Sequence, residues 1–332
     1  MSMIRRVLNP AWYHGHRARP PFFEGWYYKL VDPSGRHKLA IIPGIFRGHA
    51  HQDSHAFIQI LDGVTSASHY ASYPTTAFWA KPDAFDVRIA GSRFDLQRFE
   101  LDIDQSEVKI SGEIRLGPLT PWPVSLLSPG IMGWYAWIPM MECFHGVLSM
   151  DHELAGTLHY NGVEIDLTGG RGYLEKDWGR AFPRGYIWFQ SNHFGQPGTS
   201  LTASIAIIPW IRRPFPGFII GLLHDGTLYR FATYNGARIS HLTIDDDLVQ
   251  WTVRRRELTL EMVARRAHGG ILQAPTLDGM DRRIAESMNS QVEIRLTRKG
   301  VVIFSDTGAH AGLEVAGDLD RLLALQRNRS GS

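Results

Sequence analysis

Gly156-Thr-Leu-His-Tyr160, Asn161-Gly162, Val163-Glu-Ile-Asp-Leu167 is the stretch whose reading decides the fold. Two short runs with alternating apolar residues flank an Asn-Gly pair. Asn-Gly tolerates the two left-handed residues of a type I′ turn, whose twist matches that of paired antiparallel strands. The stretch therefore reads as a β-hairpin. The same pattern recurs outward in both directions. Phe218 to Leu223 and Thr227 to Thr233 flank Asp225-Gly226, and Phe23 to Val31 and His37 to Ile45 flank Asp32-Pro33-Ser34-Gly35. Further strand-like runs cover His55 to Leu61, Phe85 to Ile89, Arg98 to Ile103, Val108 to Leu116 and Leu201 to Ile207. Leu248 to Val253, Leu258 to Val263, Val292 to Leu296 and Val301 to Phe304 complete the series. One helix is expected, over Asp318 to Gln326, with Leu319, Leu322, Leu323 and Leu325 on it. Many short strands with turn signals predict an all-β protein of barrels or sandwiches, and argue against alternating strands and helices.

The chain has 332 residues, enough for two domains that each bury a core. Apolar residues make up 44% and charged residues 20%, a globular composition. The 35 basic residues nearly balance the 33 acidic ones, so no strong field for nucleic acid is expected. Arg254-Arg255-Arg256 sits within an alternating strand pattern and reads as a solvated strand end. Leu116 to Met141 carries no formal charge but holds Pro118, Pro121, Pro123, Pro129 and Pro139. Five prolines are incompatible with the internally bonded backbone of a spanning helix. The segment reads as an irregular apolar connection that could cover a pocket, join two domains or touch a bilayer. It also marks the expected boundary, with a β-domain over residues 1–140 and another over 141–332. A single cysteine, Cys143, excludes a disulfide framework and zinc sites built on paired cysteines. It fits a reducing compartment. Met-Ser-Met-Ile-Arg-Arg is not followed by an apolar run of signal-peptide length. The expected location is cytoplasmic, with peripheral membrane contact open.

Few residues invite a chemical reading. Gly169-Gly170-Arg171-Gly172 leads into a strand rather than a helix, which weakens a nucleotide-loop reading, and no Gly-x-Ser-x-Gly elbow occurs. His49, His51 and His55 are close in sequence but lack a visible further ligand, so no metal is expected. The strongest anomaly is Arg171-Gly-Tyr-Leu-Glu-Lys-Asp-Trp-Gly-Arg-Ala-Phe-Pro-Arg184. Glu175, Lys176, Asp177 and Arg180 crowd among Tyr173, Trp178, Phe182 and Trp188. Charges in an aromatic setting form either a structural ion network or groups with tuned proton affinities. On base rates the structural network is the commoner case. Phe22-Phe-Glu-Gly-Trp-Tyr-Tyr-Lys29 is a second such cluster. Its structural reading is an aromatic core strand in which Glu24 pairs Lys29 or an arginine. Each cluster sets a Glu near a Trp, which suggests two related halves.

These stretches resemble a known family. Phe23-Glu-Gly-Trp-Tyr-Tyr-Lys29 resembles the opening motif of the tocopherol cyclase family. Tyr173 to Arg184, followed by Trp188, Gln190, Asn192 and Phe194, resembles its central signature, and Gln273-Ala-Pro-Thr276 a later segment. The resemblance runs in order from about residue 20 to about residue 315. Plant members typically carry Asn where this chain has Asp177, a departure that bears on the substrate. The resemblance implies two lipocalin-like antiparallel β-domains, related to carotenoid hydratase-type proteins, around a lipophilic pocket. Residues 22–29 from one half and 173–194 from the other would wall it. It implies a cyclase that protonates a prenyl double bond and lets a phenol oxygen capture the cation, with no cofactor or metal. The ligand would be a prenylated quinol or another isoprenoid. Alternatives are an isoprenoid hydratase and a non-catalytic carrier.

That chemistry needs an acid that keeps its proton near neutral pH, for which Asp177, Glu175 and Glu24 are candidates. Asp177 is favoured as the acid, with Glu175 or Lys176 tuning it. Trp26, Trp178 and Trp188 would face the cation. Tyr28 and Tyr173 would line the substrate, and Gln190 and Asn192, alternating on a strand, would bind the quinol oxygens.

Overall fold

The computed structural model describes residues 3–210 and 213–330. The chain divides into two compact units. Unit 1 comprises Met1–Phe182 and Ile271–Arg283; unit 2 comprises Pro183–Gly270 and Ile284–Ser332. The division falls at Phe182 rather than at residue 140. The reason lies in strand pairing: the strand that begins at Cys143 is hydrogen-bonded on both sides to strands of unit 1.

Twelve strands form unit 1. They are β1 (Phe22–Val31), β2 (Lys38–Arg47), β3 (His55–Asp62), β4 (Ser68–Pro74), β5 (Phe78–Ala80), β6 (Asp86–Ile89), β7 (Ser92–Asp95), β8 (Arg98–Asp104), β9 (Lys109–Leu116), β10 (Cys143–Tyr160), β11 (Val163–Asp166) and β12 (Arg171–Gly179). The sheet order is β4-β3-β2-β1-β12-β10-β9-β8-β7-β6-β5, with β11 on β10. Every pairing in it is antiparallel, as expected for hairpin-connected strands. The deciding hairpin forms as read: Tyr160 pairs Val163, and Asn161 and Gly162 both take positive φ, 48° and 85°. Ile58 of β3, Ile89 of β6 and Phe99 of β8 share one buried core with Trp26 and Tyr28 of β1. Strands from both ends of the order thus meet on one core, which rolls the sheet around it.

Unit 2 carries β13 (Gly185–Ser191), β14 (Ser200–Ile208), β15 (Phe215–His224), β16 (Thr227–Ala232), β17 (Arg238–Ile244), β18 (Leu248–Arg255) and β19 (Leu258–Arg265). After β20 (Gly270–Ala274), nearly all of which belongs to unit 1, come β21 (Arg282–Arg298) and β22 (Val301–Gly317). The order in this sheet is β16-β15-β14-β13-β22-β21-β19-β18-β17. The Asp225-Gly226 hairpin forms, with His224 opposite Thr227. The predicted helix spans Leu319–Ser330, and its fully buried Leu322 joins the core of Phe189, Trp251 and Leu260. The architecture is all-β with antiparallel sheets and a short C-terminal helix, as the strand and turn pattern predicted.

The proline-rich connection is irregular, with one 3-10 stretch at Gly130–Trp137. No helix among the described residues is long and apolar enough to cross a membrane.

Candidate functional site

The two clusters singled out in the sequence are adjacent strands. β1 pairs β12 with Glu24 opposite Trp178, Trp26 opposite Lys176 and Tyr27 opposite Glu175. Glu24-Gly-Trp26 and Glu175-Lys-Asp-Trp178 are therefore not equivalent parts of two halves but neighbours in one sheet of unit 1. Successive side chains on a strand point to opposite faces. The pleat thus separates Lys176 from Glu175 and Asp177, which the sequence sets side by side.

On the inner face, Lys176 and Glu24 are both fully buried and form an ion pair at 2.6 Å. Glu24 pairs with Lys176, not with Lys29, which leaves β1 on the opposite face. The ammonium also donates to the Trp12 carbonyl at 2.5 Å and to His14 Nδ1 at 2.9 Å. All three of its protons are used. The Glu24 carboxylate accepts the His14 backbone N–H at 2.8 Å. Burial alone would raise the Glu24 pKa, but Lys176 and the His14 contacts bring it below its ordinary value. Burial draws Lys176 down to about 8 against the attraction of Glu24, so it is charged at neutral pH. Burial, then the charge of Lys176, lowers His14 to about 4. Neutral His14 accepts at Nδ1 and donates from Nε2 to the Arg6 carbonyl at 3.2 Å. Lys176 also lies over the rings of Trp178 at 4.5 Å and Trp26 at 5.2 Å. This cluster clamps residues 12–14 onto the sheet.

The opposite face carries a second cluster. His145 on β10 stands opposite Asp177 on β12. Its Nδ1 lies 2.9 Å from Asp177 Oδ1, and its Nε2 3.5 Å from Glu175 Oε2. Tyr173 donates its hydroxyl to the same Glu175 oxygen at 2.5 Å. Burial would depress the His145 pKa, but Glu175 and Asp177 overcome it and push it up to about 9. His145 is therefore an imidazolium at neutral pH. Nδ1 hydrogen-bonds Asp177, whereas Nε2 only lies within ion-pair distance of Glu175 and makes no hydrogen bond among the described residues. These three residues lie close enough together to hold a metal ion. Binding one would require the imidazolium to give up a proton first.

A cavity of about 270 Å³ lies beside these clusters, wholly within unit 1. His14, Phe144, His145 and Trp178 form its floor, with the Phe144 and Trp178 rings stacked 5.5 Å apart. Its roof is made by the N-terminal segment (Met3, Arg6, Pro10) and by the proline-rich connection (Met132, Trp137, Pro139). At Gly146 a Cβ would sit 3.2 Å from both Pro10 and Trp178, a tight contact that would push roof and floor apart by a few tenths of an ångström. The apolar connection covers a pocket, one of the roles expected of it.

The structure brings Glu24, Lys176 and Trp178 together on one face and Tyr173, Glu175 and Asp177 on the other. Of the residues expected to bind substrate, Trp178 lines this cavity. Trp26 is packed in the core, stacked on Phe85 at 5.2 Å, and Tyr28 donates its hydroxyl to the Asp95 carbonyl at 3.1 Å. Trp188, Gln190 and Asn192 are buried residues of unit 2. The expected wall of 22–29 and 173–194 thus draws on residues of both units, but 22–29 and 173–182 lie together in unit 1. His55 shares a hydrogen bond with Tyr70 at 2.6 Å, and the side chain of His51 lies outside the described residues. Sequence reading missed His14 and His145. His145 lies 32 residues from Asp177, and only strand register joins them.

A family model described as "Tocopherol cyclase-like" matches residues 100–317, more than half of the chain. A chloroplastic tocopherol cyclase of Zea mays is 26% identical over 204 residues, covering 56% of this chain. The chain spans only 41% of that maize protein's length. A probable chloroplastic tocopherol cyclase of Oryza sativa subsp. japonica is 22% identical over 377 residues, covering 92% of this chain and 77% of that protein. Among solved structures, CghA with Sch210972 superposes with a TM-score of 0.59 at 13% identity, covering 90% of this chain and 89% of that one. Kievitone hydratase from Nectria haematococca gives a TM-score of 0.50 at 9% identity, covering 89% of each. These superpositions establish a shared fold. On the family match, the chain belongs to the tocopherol cyclase-like family.

Proposed function

We propose that this protein is a cofactor-independent cyclase that closes a chromanol-type ring on a prenylated hydroquinone held in the unit 1 cavity. The observation that carries the reading is the coupled His145–Asp177–Glu175 cluster, one member of which opens onto a cavity floored by stacked aromatic rings. Asp177 is the acid, acting through His145, the cluster member that lines the cavity: the proton they share passes from the ring to the prenyl double bond, leaving a neutral imidazole hydrogen-bonded to the Asp177 carboxylate. The tertiary cation faces Trp178 and Phe144, whose ring quadrupoles stabilise it. The phenol oxygen then bonds to that carbon, and its proton returns to the cluster, so substrate and product have the same mass. The apolar roof excludes water, which would otherwise capture the cation. Tyr173 and Glu175 fix the imidazole ring.

The test is anaerobic incubation of the protein with a prenylated hydroquinone, followed by chromatography and mass measurement. A chromanol of unchanged mass is expected. A product heavier by one water would replace the cyclase reading with a hydratase, and retention without turnover would replace it with a carrier. Kievitone hydratase, on a similar fold, keeps the hydratase outcome in view.

A further inference from the structure

The wall of the unit 1 cavity is mostly apolar, with Pro10, Met132, Trp137, Phe144 and Trp178 in it. Two arginines, Arg6 and Arg17, interrupt that wall, and no Asp or Glu among the described residues lines it. Arg6 is half-buried on the short N-terminal helix. Its guanidinium donates to the carbonyl of His14, a floor residue, which holds the charge against the cavity. A guanidinium carries five N–H donors, so this single contact leaves most of them available. Arg17 is exposed at the end of the Gly15–Arg17 turn. Among the described residues neither arginine makes an ion pair, and the Arg17 side chain makes no hydrogen bond. Other arginines of unit 1 differ: Arg93 pairs with Asp86, Arg98 with Glu113 and Arg171 with Asp151.

Ligand pockets are typically apolar, with a few polar groups that fix the orientation of the bound molecule. A guanidinium fits a carboxylate through two parallel N–H···O bonds, a match that a neutral oxygen does not offer. Beside an apolar wall that attraction is screened less than on an open surface. A molecule complementary to this cavity therefore joins an apolar body to an anionic oxygen pair. The charge also bears on the reaction. Two cations at the wall oppose a carbocation forming inside it, and an anion carried by the ligand offsets that opposition.

We propose that the cavity selects lipophilic acids, with Arg6 and Arg17 receiving the carboxylate, so that the quinol it cyclises carries a ring carboxylate. The quinol part rests on the cyclase reading; the acid part is measured by binding alone. The experiment is calorimetric titration of the full chain, at neutral pH, with a geranylated gentisate (a hydroquinone bearing a ring carboxylate) and with its methyl ester, which differs in lacking the charge. Wild type is expected to bind the acid at least about tenfold more tightly than the ester, the scale of a hydrogen bond to a charged group. The gap is expected to narrow as salt is raised. In the Arg6→Gln/Arg17→Gln chain the acid is expected to bind no better than the ester, with ester affinity unchanged. Arg6→Lys/Arg17→Lys is expected to restore part of the preference, because it restores the charge without the planar fork. Arg17→Gln alone guards against misfolding, since that exposed side chain holds no other group in place. It is expected to lose about threefold of the preference, as for an exposed charge pair. Equal affinity of wild type for acid and ester, or a preference that survives in the double glutamine chain, would overturn the proposal. A preference for the acid without turnover of either compound would uphold acid binding and remove the cyclase reading.

Discussion

Lys176 and its chain neighbours Glu175 and Asp177 share three consecutive positions of β12, yet the pleat sends them into two different kinds of site. The inner cluster is closed: Lys176 spends every proton on Glu24, Trp12 and His14, and neither member of the ion pair has any exposure. The outer cluster is open: its Asp177 carboxylate is 26% exposed, and His145 lines a cavity while shared by two acids. A fully satisfied buried pair fixes backbone. A cluster with more acids than cations to neutralise them can exchange protons. The contrast separates the clamp from the candidate chemistry.

Perturbing the inner face carries the largest expected effect. Lys176→Met leaves Glu24 as an uncompensated buried charge, which typically costs about 3–5 kcal/mol. Urea unfolding should show that loss, and replacing Glu24 by Leu in the same chain should recover much of it. A loss near zero for the single variant would break the assignment of this face as a structural clamp. On the outer face, Asp177→Asn is expected to reduce turnover by about a hundredfold or more and to cost less stability than Lys176→Met, since Glu175 remains beside His145. Unimpaired turnover would remove Asp177 as the acid. The two variants together test whether stability and activity divide along the pleat.

A pH series sharpens the comparison at lower amplitude. His145 has its folded pKa raised to about 9 from an ordinary 6.5, so its contribution to stability is full below pH 6.5 and is lost as pH rises through about 9. The stability gap between wild type and His145→Gln should therefore shrink across that window; a gap independent of pH would mean that the imidazolium is not paired. His14 behaves oppositely. Its folded pKa is lowered to about 4, so its contribution is present above pH 6.5 and lost as pH falls through about 4. The smallest expected effect is Tyr173→Phe, which deletes one hydrogen bond to a carboxylate and should cost about 1.5 kcal/mol by urea unfolding.

Much of this was legible beforehand, for reasons that can be located. The Asn161-Gly162 and Asp225-Gly226 hairpins follow from local backbone preference, which needs no tertiary information. Leu322 on the C-terminal helix follows from periodicity. The acidic and aromatic residues of β1 and β12 stood out because charges among aromatic rings are unusual. Their partners did not. His145 and His14 reach their clusters through strand register and a clamped N-terminal segment, neither of which leaves a local pattern. The pairing of Glu24 with Lys176 rather than Lys29 was within reach, since residues five apart on a strand face opposite sides. The boundary at residue 140 misled because a proline-rich, uncharged run resembles a linker, whereas here it is a roof. Gln190 and Asn192, marked for quinol binding, lie in unit 2, and their buried position carries no role by itself.

The division of the cavity into a floor of paired strands and a roof of irregular chain has an evolutionary consequence. The floor residues Phe144, His145 and Trp178 are locked by a ladder in which a one-residue shift would turn every side chain to the other face. Roof residues such as Met132 and Trp137 answer to no such ladder. Substitutions, insertions or deletions in the two roof segments can therefore reshape what the cavity accepts without shifting the paired strands beneath.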